Sequence, residues 1–199
     1  MKDNMNLTYN DIKHEYQLDG MIIPSVTQVL KGAGLVNLDF IDKDLLAEKA
    51  DLGHKVHSTT ELYDLGTLDL FSLHPTLSNY LDSWVKFRKD FNFKPTEIEL
   101  KLHHELYRFA GTVDRIGTMN NELILLDIKS GKKFRTHGVQ TAAYKLLFDQ
   151  GKKKIEKIKK RYAVYLSEHG YKLEPHTDTN DTAVFLAALT INNYLRQTK

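Results

Sequence analysis

The stretch Ala110–Gly131, AGTVDRIGTMNNELILLDIKSG, decides how this chain is read. Its first part, extended back to Phe109 and ending at Thr118, is apolar and β-branched and reads as a strand. Asn120-Asn121 marks a turn, and Glu122–Lys129, with its Leu-Ile-Leu-Leu run, reads as a strand buried on both faces. Residues two apart on a strand share a face, so Asp127 and Lys129 project together while Ile128 faces the other way. Pairing of the two strands around the turn brings Asp114 near Asp127. Two carboxylates at the end of a buried strand are costly unless a cation neutralises them. Mg²⁺ or Mn²⁺ does this with hard oxygen ligands, and a lysine beside such a site orients or deprotonates an attacking water. The combination suits hydrolysis of a phosphodiester.

Working outward, the upstream sequence predicts a β-ribbon, Tyr16–Leu18 and Met21–Pro24 around Asp19-Gly20. Ser25 then caps a helix through Val26, Val29 and Leu30 that stops at Gly32 and Gly34. Helices follow over Asp42 to about Asp64 and over Leu77–Phe91, and Glu97–His104 alternates as a strand. Downstream come a helix over Gly138–Gln150, a hairpin of Arg161–Ser167 with Tyr171–Glu174, and a final helix over Asp181–Arg196. The expected class is α/β (α+β): one mixed central β-sheet flanked by helices. The chain reads as one domain over 1–199, with ribbon and helices in 1–95 and the sheet with its flanking helices in 96–199.

The 199 residues contain no cysteine, which excludes a disulfide framework, a cysteine-based zinc site and an iron–sulfur cluster. At 41% hydrophobic and 27% charged the chain has enough apolar residues for a core. Met1–Asn6 has no secretory pattern, and Ala183–Ile191 is too short to span a bilayer, so an intracellular protein without membrane attachment is expected. The formal charge is only +2, yet seven of the 28 bases fall between Lys152 and Arg161 with the single acid Glu156. That run reads either as a solvated face or as an anion-binding surface. Tyr162, Tyr165 and Tyr171 beside it either cover a core or stack single-stranded bases. No His-Glu-x-x-His, phosphate-loop or Gly-x-Ser-x-Gly pattern is present.

An acid-x-Lys triplet alone says little, since the chain has three: Asp11/Lys13, Glu99/Lys101 and Asp127/Lys129. Only the third ends an apolar run one hairpin after a Gly-Thr-x-Asp strand. With it stand four further pieces: Pro24-Ser25-Val26-Thr27, then Gly53-x-x-x-His57-x-x-x-Glu61, then Asp114, and finally Gln140-x-x-x-Tyr144. In this order they resemble the RecB-like branch of the PD-(D/E)xK nucleases, especially phage-type exonucleases and the mitochondrial genome maintenance exonuclease. The resemblance implies a restriction-endonuclease-like fold and a Mg²⁺- or Mn²⁺-dependent deoxyribonuclease, most typically an exonuclease of recombination, replication or repair. A structure-specific endonuclease and a non-catalytic DNA-binding module are the alternatives.

It further implies that His57, Asp114, Asp127 and the Ile128 carbonyl hold the metal. An imidazole ligand tilts the preference toward Mn²⁺. Asp114, Asp127 and Lys129 are the implied catalytic set, with Gln140 and Tyr144 orienting the lysine. Ser25 and Thr27 read as helix-capping residues by pattern, and by resemblance as contacts to a DNA phosphate. Ser130 either donates to phosphate or caps its turn. Glu61 either supports the ligands or pairs with a base. His54 reads as surface, and which of Glu97, Glu99 and Glu105 approaches the site stays open. The implied partners are DNA, as single strands or duplex ends, and a recombination or single-strand-binding protein, in the cytoplasm of a bacterium or phage-infected cell.

Overall fold

A computed structural model describes residues 6–37 and 42–197; of the Met1–Asn6 stretch read for a leader, all but Asn6 lies outside them. The chain order begins β1 (Leu7–Asn10), β2 (Glu15–Leu18), β3 (Met21–Ile23), α1 (Val26–Gly32), α2 (Lys43–Leu65) and α3 (Pro75–Asp90). It continues β4 (Lys94–His103), β5 (Ala110–Met119), β6 (Glu122–Lys129), α4 (Thr136–Asp149), β7 (Lys160–Ser167), β8 (Gly170–Pro175) and α5 (Asp181–Gln197). A short 3₁₀ turn at Lys154–Glu156 precedes β7.

The central sheet has the order β4-β5-β6-β7-β8. All its pairings are antiparallel except β6 with β7, which α4 connects as a crossover. Two apolar clusters sandwich it. On one face Val26, Val139, Leu147 and Phe185 of α1, α4 and α5 pack with Val113 and Leu125. On the other, Val56 of α2 and Trp84 and Phe87 of α3 pack with Ile124, Leu126 and Ile128. The alternation along β6 therefore sends Leu125, and with it Asp127 and Lys129, toward α4.

The mixed central sheet flanked by helices is as expected. The amino-terminal ribbon is a separate antiparallel sheet of three strands, β1-β2-β3, of which β1 was not foreseen. Four residues, Leu7–Asn10, are too short to show a period; only pairing with β2 makes them a strand. Tyr16, Leu18 and Ile23 of this sheet close over Ala110 at the start of β5. Ala110 donates its N–H to the Pro24 carbonyl at 3.0 Å, and the Tyr16 hydroxyl meets Thr112 Oγ1 at 2.5 Å. Ser25 caps α1 as expected, accepting from Gln28 N–H while Gln28 Oε1 accepts from Ser25 N–H. Helix α3 starts two residues earlier than the sequence suggests, because Pro75 occupies its first turn behind the His74 cap.

Candidate active site

The site forms where β5 and β6 separate. Their ladder runs from Met119–Glu122 to Arg115–Leu126. Beyond it the Asp114 carboxylate, not its backbone, takes the Ile128 N–H at 2.6 Å. This holds Asp114 against the end of β6 and leaves both strands free to present acids. Asp127 is buried, with Lys129 Nζ 2.7 Å from its Oδ2 on the shared face. Lys129 Nζ also donates to Gln140 Oε1 at 3.2 Å, and Gln140 Nε2 donates to the Tyr144 hydroxyl at 3.0 Å. Gln140 and Tyr144 lie one turn apart on α4, so one helix face carries the whole chain. A Cβ at position 111 would sit 2.8 Å from the Tyr144 ring, so glycine there admits the tyrosine.

From the opposite face α2 contributes His57. Its Nδ1 lies 3.7 Å from Asp114 Oδ2, and the Ile128 backbone carbonyl is close enough to raise its pKa slightly. Gly53, one turn earlier, places its α-carbon against Ser130, whose Oγ a Cβ would meet at 3.5 Å. Ser25 and Thr27 line a cavity of about 390 Å³ together with Asp114 and Tyr144.

Glu99 completes the cluster. Ligand atoms of His57, Glu99 and Asp114 lie within 4.8 Å of one another. Between the Ile98–Arg115 and Leu100–Val113 pairs Glu99 lies opposite Asp114, and its backbone adopts a left-handed φ of 47° that departs from regular strand geometry. Of the three glutamates left open by sequence, this is the one that arrives. Glu61 stays near enough to Glu99 to raise its pKa but makes no ion pair among the described residues.

The nearby bases are taken by Asp64, one turn further along α2 than Glu61. Asp64 accepts from Arg115 Nε at 2.7 Å, Arg88 Nη1 at 2.5 Å and Trp84 Nε1 at 3.0 Å. Arg115 is fully buried and also donates to Glu99 at 2.9 Å and to the Asp114 carbonyl. One guanidinium therefore ties α2, β4 and β5 together directly beneath His57, Glu99 and Asp114. A charged residue inside an apolar strand was the available signal for Arg115. For Asp64 it was only the helical spacing from His57, two turns along one face.

The electrostatics show a surplus of buried negative charge. Burial, then Asp114, pushes the Glu99 carboxyl up to about 8 against the pull of Arg115. Burial raises Asp127 to about 7, with Lys129 pulling down and Asp114 pushing up. Burial alone would depress Lys129, but Asp127 and Asp114 outweigh it and its ammonium is stabilised. His57 is lowered, chiefly by burial and further by Lys129 and Arg115, although Asp114 opposes this. A neutral imidazole, carboxylates short of positive charge and a backbone carbonyl form a donor set that fits a hard divalent cation.

A pH-dependent stability follows. Glu99 and Asp127 hold protons in the folded state that the unfolded chain releases, so they favour folding at low pH and that contribution is lost as pH rises toward 8. His57 works oppositely, but only below its ordinary value of 6.5. Between pH 6.5 and 8 the metal-free melting temperature should therefore fall, and Mg²⁺ or Mn²⁺ should raise it more at pH 8 than at pH 6.5. Thermal denaturation with and without cation checks this; a cation effect independent of pH would contradict the described charge surplus.

Other sequence candidates lie elsewhere. Tyr171 packs on Phe87 and Phe91 and donates to Asp90, and Tyr162 packs against the α3-side core. The Tyr165 hydroxyl meets His137 Nδ1 at 2.7 Å. Burial and the Lys129 cation lower His137 to about 3, so it stays neutral. The basic run leads into β7, whose first residue pairs with Ile124, whereas Asp127 pairs with Ala163 three residues on. The run thus sits at the opposite end of the sheet, and its last member, Arg161, turns inward to Asp181 and the Gly138 carbonyl. His54 is exposed, as expected, with its ring stacked 6.3 Å from His14 at the mouth of the Asp114 cavity.

No helix among the described residues is long and apolar enough to cross a membrane. Comparison with curated proteins finds no match. Among solved structures, the crystal structure of SSO0001 is similar at 18% identity, over 71% of this chain and 70% of that one, with a TM-score of 0.39. The family model of the PD-(D/E)XK nuclease superfamily matches residues 44–190, which span α2 to α5 and contain His57, Glu99, Asp114, Asp127, Lys129, Gln140 and Tyr144. The chain belongs to the PD-(D/E)XK nuclease superfamily.

Proposed function

We propose that this chain is a Mg²⁺- or Mn²⁺-dependent deoxyribonuclease, an exonuclease that works on DNA ends in recombination, replication or repair. The observation that carries the reading is the convergence of His57, Glu99 and Asp114 within 4.8 Å, beside an Asp127–Lys129 pair held by Gln140. His57, Asp114, Asp127 and the Ile128 carbonyl would hold the cation, with Glu99 joining them. Such an ion stabilises charge on phosphate oxygens and acidifies water. Lys129, kept protonated by its carboxylate neighbours, orients the attacking water. Gln140, fixed by Tyr144, sets the position of that ammonium. Ser25, Thr27 and Ser130 face the substrate backbone along the rim.

The test uses end-labelled single- and double-stranded DNA, linear and circular, with Mg²⁺, Mn²⁺ or EDTA. Metal-dependent loss of linear DNA with circles spared is the expected result. Cutting of circles would replace the exonuclease with an endonuclease, and binding without cleavage of any substrate, flaps and junctions included, would leave a DNA-binding module.

A further inference from the structure

A second cavity, of about 570 Å³, opens on the α4 side of Lys129 and shares Thr27 with the cavity that holds Asp114. Its size lies in the range of ~300–1,000 Å³ usual for small-ligand sites. Leu30 and Val36 give it an apolar floor, and Lys31, Lys129 and Arg135 give it positive charge; among the described residues no acid lines it. The side chains of Lys31, Lys132 and Arg135 make no ion pair among the described residues, and all three are exposed. Toward the far end of the sheet Lys145, Lys160 and Arg161 are each engaged by an acid, Asp149, Glu122 and Asp181, while the other lysines of the basic run make no ion pair among the described residues but lie away from the site. Lys31 and Arg135 are the cations of this cavity without an acid partner among the described residues, beside the candidate site.

The loop between β6 and α4 contributes Phe134 and Arg135 to the lining of this cavity. Phe134 is 44% exposed, an apolar ring outside the core clusters of the described residues. It is nonetheless held: its carbonyl accepts from His137 N–H at 3.2 Å, and the two rings meet edge to face at 5.6 Å. His137 is in turn fixed by Tyr165. Lys133, just before Phe134, is engaged by Glu174, but Lys31 and Arg135 share the cavity lining with the ring and make no ion pair among the described residues. An exposed, positioned aromatic ring beside such cations is the arrangement that binds unstacked bases and the phosphates between them. A paired and stacked base offers no free face to such a ring.

We infer that this groove binds one or two nucleotides of a single strand next to the bond that is cut, with Phe134 stacking a base and Lys31 and Arg135 holding phosphates. The inference rests on the nuclease reading for its place in the reaction, but its test does not. The chain has one tryptophan, Trp84, which is fully buried, so Phe134→Trp adds a second, exposed fluorophore.

In EDTA, where nothing is cleaved, a short oligothymidylate should quench the added emission of Phe134→Trp, leave the wild-type emission unchanged, and bind Phe134→Ala roughly 5- to 150-fold more weakly than wild type. Lys31→Gln and Arg135→Gln should each lower the salt dependence of binding by about 0.7 per contact. A blunt duplex of equal length should not quench. Equal quenching by the duplex, or unchanged affinity of Phe134→Ala, overturns the groove. If the groove behaves as expected while wild type cleaves no nucleic acid with metal present, the nuclease reading fails and the groove stands.

Discussion

Lys129→Met is expected to lower the cleavage rate by roughly 10²- to 10⁴-fold, the range for losing one positioned proton-handling group. Methionine retains much of the length of the side chain, so the apolar stem still packs, but the charge at Nζ is gone. Two consequences separate the chemistry from a structural defect. Asp127, buried and 2.7 Å from the lysine, loses the cation that draws its pKa down, so metal-free Lys129→Met should be less stable at pH 8 than wild type, and divalent cation should recover more of that loss. Gln140 loses its partner at 3.2 Å, while its bond to Tyr144 remains. Gln140→Leu should therefore reproduce a smaller part of the rate loss without the pH-dependent instability. Single-turnover cleavage of end-labelled DNA, read beside thermal denaturation at two pH values, checks both. A Lys129→Met protein that cleaves at the wild-type rate would remove the lysine from the mechanism.

The largest effect on stability is expected at Arg115. Its side chain and that of Asp64 are both 0% exposed, and removal of the guanidinium leaves Asp64 buried with Arg88 and the Trp84 N–H and Glu99 without its partner. Breaking a buried pair from one side costs about 3–5 kcal/mol. For a chain of this size that corresponds to a fall in melting temperature on the order of 10 °C. Arg115→Met should show this cost, and Asp64→Leu a similar one, because Arg115 and Arg88 would then face each other without the acid between them. The double variant should lose less than the sum, since it removes the buried carboxylate and the buried guanidinium together. Denaturant unfolding of the four proteins gives the coupling directly. A loss below 1 kcal/mol for Arg115→Met would falsify the network as a buried one. Because Arg115 also holds Glu99, the same variant should weaken the response of the melting temperature to Mg²⁺.

Much of the candidate site was legible before the structure. The period-two pattern of Glu122–Lys129 placed Asp127 and Lys129 on one face, and the Asn120-Asn121 turn placed Asp114 within reach of both. Helical spacing put Gln140 above Tyr144. These are local facts: the direction of a side chain along a strand or helix follows from backbone geometry within a few residues.

Tertiary structure decided the rest. Glu99 belonged to an acid-x-Lys triplet that looked like solvated strand charge, and only its left-handed backbone and its bond to Arg115 aim it at Asp114. Asp64 had no local mark beyond its turn of helix, and acquires its role because α2 crosses the buried end of Arg115. The basic run, which by sequence is either a solvated face or an anion-binding surface, lies away from the site, because β7 runs parallel to β6 and begins at the far end of the sheet. Beside the candidate site the exposed aromatic is Phe134, not the tyrosines of the last hairpin: Tyr171 is taken up by Phe87 and Phe91, Tyr165 by His137 and Tyr162 by the core. Sequence by itself determined which residues share a face, because that depends on neighbours along the chain. Which faces meet, which charges are left unpaired and which rings stay uncovered depend on register, crossover direction and packing between distant segments, and the fold alone sets those.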